Sequence, residues 1–368
     1  MADPTKEVEK KPKKKGGIKK FFRCLLLGLV ILLAGLFIFH QCKVRADFKF
    51  LQEKGYYNPV SAGEYSLNTY RFGKENGEHR IVVIAGMGSG FALDIRRITA
   101  GLQQENDLIF IARAGWDGSE DSRDERSVQQ IVEDYRNVLK NAGIPAPYVL
   151  MAHSIGGAYG SYWVSKYPEE IEAFVNIDGT YVTPQEDTQE QSDGSAILLK
   201  AAVNFGIGDL FLHAFYPKEE AFTAEEQRVY DFMLTQSMAS DGANKEGAVV
   251  ARNLNEINSV LTVTDVPKLY ISARDGYQTK EDILNGPGLD DWDLDHYAPD
   301  FQGTEVERRD AACANWLAQC QENRDKELFP YLEKMGNCTV EYIPGSHFIY
   351  ETEPERTAEV IENFINGL

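Results

Sequence analysis

From residue 64 to the end of the chain, short apolar runs alternate with stretches whose apolar residues recur at helical spacing. Runs at 64–72, 80–85, Asp107–Arg113, Tyr148–Ala152, Ile171–Ile177, Pro267–Ala273 and Cys338–Ile343 read as strands. Between them, 91–104, 155–167 and 354–365 read as helices. So does the stretch after Ser127, in which Val128, Ile131, Val132, Tyr135, Val138 and Leu139 form one face up to Gly143. Strands that alternate with helices imply crossover connections, hence an α/β fold with a mostly parallel central sheet flanked by helices. Two stretches interrupt the rhythm. Residues 184–265 are helical in character and rich in Phe, Tyr and Leu, and are expected to form an inserted helical cap. Residues 276–337 hold an acidic loop and a helical pair near 304–335.

The N-terminus is of another kind. Residues 1–23 carry nine Lys/Arg against three acids, whereas the whole chain has a net charge of −19. Residues 24–42 then run for nineteen positions without a formally charged side chain. At 1.5 Å per residue such a helix spans roughly the 30 Å hydrocarbon core of a bilayer. The basic flank predicts a cytoplasmic tail over 1–23, a single-pass transmembrane anchor over 24–42 and an outer domain over 47–368 at the cell membrane. A cleaved signal peptide, cut after Ala46, is the competing reading.

Composition narrows the function. The acidic balance argues against nucleic-acid binding. Five cysteines in 368 residues are too few for a disulfide scaffold. Cys313 and Cys320 lie about 10 Å apart on one straight helix, beyond bridging reach, although either can be paired with Cys338. Asp290, Asp291, Asp293 and Asp295 suggest calcium, but His296 and Gln302 stand where an EF-hand needs Gly and Glu. No metal or cofactor is expected.

The strongest chemical signal is A-H-S-I-G-G at 152–157, where a strand meets a helix. A serine at so sharp a turn has its hydroxyl lifted clear of the sheet, and small neighbours let the two backbones approach. The amide of Ile155 is then placed to donate to an oxyanion. Upstream, A-G-M-G-S-G (85–90) is a Gly-rich turn directly after a strand, able to aim the Met87 amide at the same point. It lacks the third Gly and the ribose-binding acid of a dinucleotide fingerprint. Asp275 follows a strand in A-R-D-G (273–276), and His347 follows the last strand in P-G-S-H-F (344–348). Ser154, Asp275 and His347 thus all lie beyond strand C-termini, where open α/β sheets place their sites.

With R-A-G-W-D-G-S (113–119), these motifs resemble those of the α/β-hydrolase superfamily, in particular its members with a helical cap, over residues 64–368. The resemblance implies a serine hydrolase with Ser154 as nucleophile, His347 as base and Asp275 as orienting acid. It implies that the Met87 and Ile155 amides form the oxyanion hole. Asp178, which ends the strand at 171–177, is the alternative acid, because some members of the superfamily carry it one strand earlier. Trp116 is placed near the site mouth or as a loop anchor. His153 and His213 read as packing residues. The apolar cap residues point to a carboxylic ester of a small or lipophilic acyl group as substrate. Glu219, Glu220, Glu225 and Glu226 keep open an aminopeptidase of the proline-iminopeptidase type, and a non-catalytic binding protein is the third reading.

Overall fold

The computed structural model describes residues 16–186, 195–219 and 221–368, so most of the basic tail, the start of the expected cap and Glu220 lie outside the described residues. Eight strands form one sheet: β1 (Pro59–Ser61), β2 (Ser66–Gly73), β3 (Arg80–Ile84), β4 (Asp107–Ile111), β5 (Tyr148–His153), β6 (Ile171–Ile177), β7 (Lys268–Ser272) and β8 (Cys338–Tyr342), in the spatial order 1-2-4-3-5-6-7-8. The first two strands pair antiparallel, as do β2 and β4, and every other neighbouring pair is parallel. Parallel strands need covered faces, which is why they read as unbroken apolar runs.

In β3, Ile81 and Val83 pack into one layer while Val82 and Ile84 pack into the other. One layer is built with helix α2 (Val128–Asn141), capped by Ser127 Oγ accepting from Gln130 N, and helix α3 (Ile155–Lys166). The six residues predicted to form the buried face of α2 do so. The other layer includes Phe91, Ile98, Ile361 and Ile365. The single helix expected over 91–104 is broken into Phe91–Asp94, Arg96–Thr99 and a 3-10 turn at Leu102–Gln104. Thr99 Oγ1 there bonds back to the Ile95 carbonyl at 3.0 Å, a contact that bends helices.

Among the described residues between β6 and β7 lie five helices: α4 (Ser195–Asn204), α5 (Ile207–Phe215), α6 (Ala224–Met238), α7 (Asp241–Ala248) and α8 (Val250–Val260). The last of them buries Leu254 and Ile257 in the same layer as α2 and α3, so it belongs to the sheet's helical cover. A satellite cluster around Tyr277, Leu294 and Cys313 organises the stretch between β7 and β8. Three of its four aspartates over 290–295 have structural partners: Asp290 and Asp293 form a capping box on the helix Asp291–Tyr297, and Asp295 pairs with Arg308 at 2.6 Å. All five cysteines are free, so neither bridge to Cys338 forms.

At the N-terminus, helix α1 (Gly16–Glu53) is continuous through the apolar run and beyond. It is long and apolar enough to cross a membrane, with a mean hydropathy of 2.6 in its most apolar window. Its last turns belong to the folded domain. Leu51 is fully buried, Asp47 accepts from the Arg228 guanidinium at 2.7 Å, and Phe48 meets Phe232 edge-on at 4.9 Å. No linker separates the apolar segment from the domain that follows it.

Candidate active site

Ser154 stands between β5 and α3 with φ 55° and ψ −130°, a positive-φ conformation that L-residues adopt at a cost. The turn closes only because its neighbours are small. A Cβ on Gly156 would fall 2.5 Å from the Ala85 carbonyl oxygen, and one on Gly86 would fall 2.8 Å from Ser154 Cβ. The turn after β3 therefore rests directly against the serine. Met87 lines the cleft in front of it, and Ile155, as the first residue of α3, has an amide with no acceptor in its own helix.

His347 follows β8 and brings Nε2 to 2.9 Å from Ser154 Oγ. Its Nδ1 lies 2.7 Å from Asp178 Oδ2. An ionised carboxylate only accepts, so Nδ1 carries the proton and Nε2 is left to accept from the serine hydroxyl. Asp178 is fully buried, which pulls its carboxyl upward. The His347 hydrogen bond and the Arg274 charge outweigh that and hold it below the usual carboxylate range. Its Oδ1 also accepts from the amides of Ala273 and Arg274, and its Oδ2 from Arg274 Nε at 2.7 Å.

Asp275, the acid expected from the motif order, does not reach His347. Its carboxylate accepts from Tyr181 Oη at 2.6 Å and from Asn323 Nδ2 at 2.9 Å. The cause lies in register. His153 pairs with Ile177 across β5 and β6, so Ser154 and Asp178 are the next residues on adjacent strands and leave the sheet at the same level. Beyond β7 the chain turns so that two backbone amides cap Asp178, and Asp275 is carried to the far side of that turn.

Neighbouring groups brace this arrangement. His153 donates from Nε2 to the His347 carbonyl at 2.8 Å and stacks on Phe91. Burial, with the adjacent His347, pushes its pKa down to about 4, so it stays neutral. Arg113 lies two residues beyond β4, and no sequence signal apart from its motif marks it. Buried, it donates to the Ala85 and Gly86 carbonyls at 2.7 and 2.8 Å and pairs with Glu246 of α7 at 2.8 Å. Glu246 also accepts from Trp116 Nε1 and Tyr159 Oη, which makes Trp116 part of the tie between the sheet edge and the helices above. His213 is half-exposed, with Nε2 3.1 Å from Asp231.

A cleft of about 570 Å³ lies beside the serine, lined by Gly86, Met87, His153 and Phe348. Its apolar walls include Phe91, Tyr230, Leu234 and Phe348, while Asp94, Glu219 and Glu351 form an acidic side. Burial, reinforced by the Glu351 charge, pushes the Asp94 carboxyl up to about 7.

A strained serine after the central strand, a histidine after the last and a parallel sheet between them define an α/β hydrolase architecture. The chain belongs to the Alpha/beta hydrolase family, whose profile matches residues 81–360. It is 32% identical over 155 residues to the uncharacterised protein YbdG of Bacillus subtilis (strain 168), a match covering 42% of this chain and 46% of that protein. A second uncharacterised B. subtilis protein, YqjL, is 26% identical over 103 residues, 28% of this chain and 41% of that one. The matches thus span less than half the length of these relatives. Among solved structures, the epoxide hydrolase CorEH superposes with a TM-score of 0.57 at 13% identity, covering 84% of this chain and 98% of that one. A bacterial membrane phospholipase A superposes with a TM-score of 0.51 at 15% identity, over 95% and 98%. At such identities the likeness is one of fold.

Proposed function

We propose that this chain is a membrane-anchored serine hydrolase that cleaves carboxylic esters through an acyl-enzyme. The observation that carries the reading is the unbroken line from Ser154 Oγ through His347 to Asp178. In this mechanism His347 Nε2 takes the hydroxyl proton as Ser154 attacks the ester carbonyl, and Asp178 orients the ring and stabilises the imidazolium. The Met87 and Ile155 amides receive the oxyanion. His347 returns the proton to the departing alcohol, and water then releases the acid by the same route. The apolar walls of the cleft favour an acyl chain over a charged group.

A retained anchor with the N-terminus cytoplasmic and the catalytic domain outside completes the proposal. Cleavage after Ala46 would divide a continuous helix that is buried against the domain on both sides of the cut, at His40 and at Asp47 and Leu51. The acidic side of the cleft favours a second reading, an aminopeptidase that holds a substrate amine. Arg97 Nη2 lies 3.9 Å from Asp94 and 3.8 Å from Glu219, which leaves Glu351 as the freest of the three carboxylates.

The test is fluorophosphonate labelling of the full chain in detergent, wild type beside Ser154→Ala, followed by rates on aryl esters and aminoacyl arylamides. Labelling confined to wild type, with ester turnover, supports the reading. An absolute requirement for a free substrate amine would transfer it to the aminopeptidase, and a folded wild type that never labels would end it.

A further inference from the structure

Helices α4 and α5 display large apolar side chains to solvent. Leu198 is 74% exposed, Leu210 79% and Phe215 78%, with Phe211 more than half exposed beside them. The polar side chains of α5 are paired, Asp209 with Lys43 at 3.1 Å and His213 with Asp231 at 3.1 Å. A helix with one bare apolar face and a paired polar face is the pattern of an element lying in a membrane interface.

Its depth is set by α1. The two helices meet in a 110° bend at Gly206, and that corner sits against α1. The rings of Phe205 and Phe37 are 5.8 Å apart, and His40 is buried where a Cβ on Gly206 would stand 3.2 Å from its Nδ1. Phe37 is five residues before Cys42, the end of the uncharged run. At 1.5 Å per residue the corner lies about 8 Å inside it. Interfacial helices bury their apolar faces by a similar amount, about 5–10 Å. Immediately above, Lys43, Asp47 and Arg228 form the charged layer expected at a headgroup level. Leu199 of α4 and Tyr216, the residue after α5, also line the cleft beside Ser154.

We propose that the exposed face of α4 and α5 is a second membrane contact, seated in the leaflet that holds the end of the apolar run near Cys42. Through it the cleft opens onto the bilayer, so the substrate is a bilayer-resident acyl ester that reaches Ser154 without crossing water. The supply route rests on the ester-hydrolase reading, whereas the contact itself does not.

Both parts are tested on the full chain in phosphatidylcholine vesicles. Phe211→Cys, in a Cys24→Ser, Cys42→Ser and Cys338→Ser background, is labelled with an environment-sensitive fluorophore, and Asp291→Cys serves as a water-exposed control. Brominated lipid is expected to quench the label at 211 at least twofold and to leave the control unchanged; an unquenched label at 211 overturns the contact. The variant Leu210→Glu/Phe211→Glu/Phe215→Glu is expected to lose at least tenfold on a long-chain ester embedded in vesicles. It should remain within twofold of wild type on a soluble short-chain ester. A vesicle rate equal to wild type, or equal losses on both esters, overturns the supply route. A wild type inactive on both esters defeats the hydrolase reading, and quenching still decides the contact.

Discussion

Asp178 holds His347 by its Nδ1 at 2.7 Å and is itself held by Arg274 at the same distance, so this carboxylate is clamped from two sides. Asp178→Asn can no longer impose the Nδ1–H tautomer and is expected to lower kcat on a short-chain ester by about 10⁴. Asp275→Asn, which disturbs only the Tyr181 and Asn323 contacts, should keep most of the wild-type rate. Steady-state rates of both variants, with circular dichroism to verify folding, distinguish the two acids. A collapse in Asp275→Asn beside an active Asp178→Asn would reverse the assignment.

The Arg113–Glu246 pair is buried on both sides and joins the turn under the serine to α7. Removing one partner strands a charge, so Glu246→Ala is expected to cost about 3–5 kcal/mol of stability. Arg113→Met/Glu246→Leu leaves no such charge and should recover a large part of the loss in thermal unfolding. Equal destabilisation by the single and the double variant would show that the Ala85 and Gly86 carbonyls, not the ion pair, need Arg113.

Gly86 has no room for a side chain, since a Cβ would meet Ser154 Cβ at 2.8 Å and His153 Nδ1 at 3.0 Å. Gly86→Ala must displace the turn or the serine. Loss of one oxyanion donor costs about 10²–10³ in kcat, and misplacing the Met87 amide should fall in that range. The readout is the rate of fluorophosphonate labelling against an unchanged melting temperature. Labelling at the wild-type rate would remove this turn from the proposed oxyanion hole.

Asp94 binds its proton more tightly in the folded chain, with a pKa of about 7 against an ordinary value of 3.8. Its contribution to stability is therefore fully present below the unfolded value and is lost as pH rises through about 7. The limit is about 4 kcal/mol at 1.36 kcal/mol per pKa unit. Asp94→Asn should match wild type near pH 4 and exceed it at pH 8. Melting temperatures across that range check the sign, and a variant that is no more stable than wild type at pH 8 contradicts it.

Seven of the eight strands and helix α2 could be read from the sequence, because burial leaves parallel strands as apolar runs and α2 as a six-residue stripe, whereas β1 and the breaks in 91–104 could not. Ser154 and His347, which the fold brings within 2.9 Å of each other, stand out in the sequence through the motifs around them. A nucleophile turn demands small residues at fixed offsets, and that local requirement shows in A-H-S-I-G-G. The acid carries no such signature: an aspartate just beyond a strand looks the same at 178 and at 275. Only the β5–β6 register, which sets Asp178 level with Ser154, determines which of the two meets His347. The partnership of Arg113 with Glu246 joins residues 133 positions apart, and the meeting of Phe37 with Phe205 joins residues still farther apart. Contacts at such separations exist only once the chain has packed. Sequence periodicity reports the face each residue shows to its own element, and tertiary packing determines which residue it finds there.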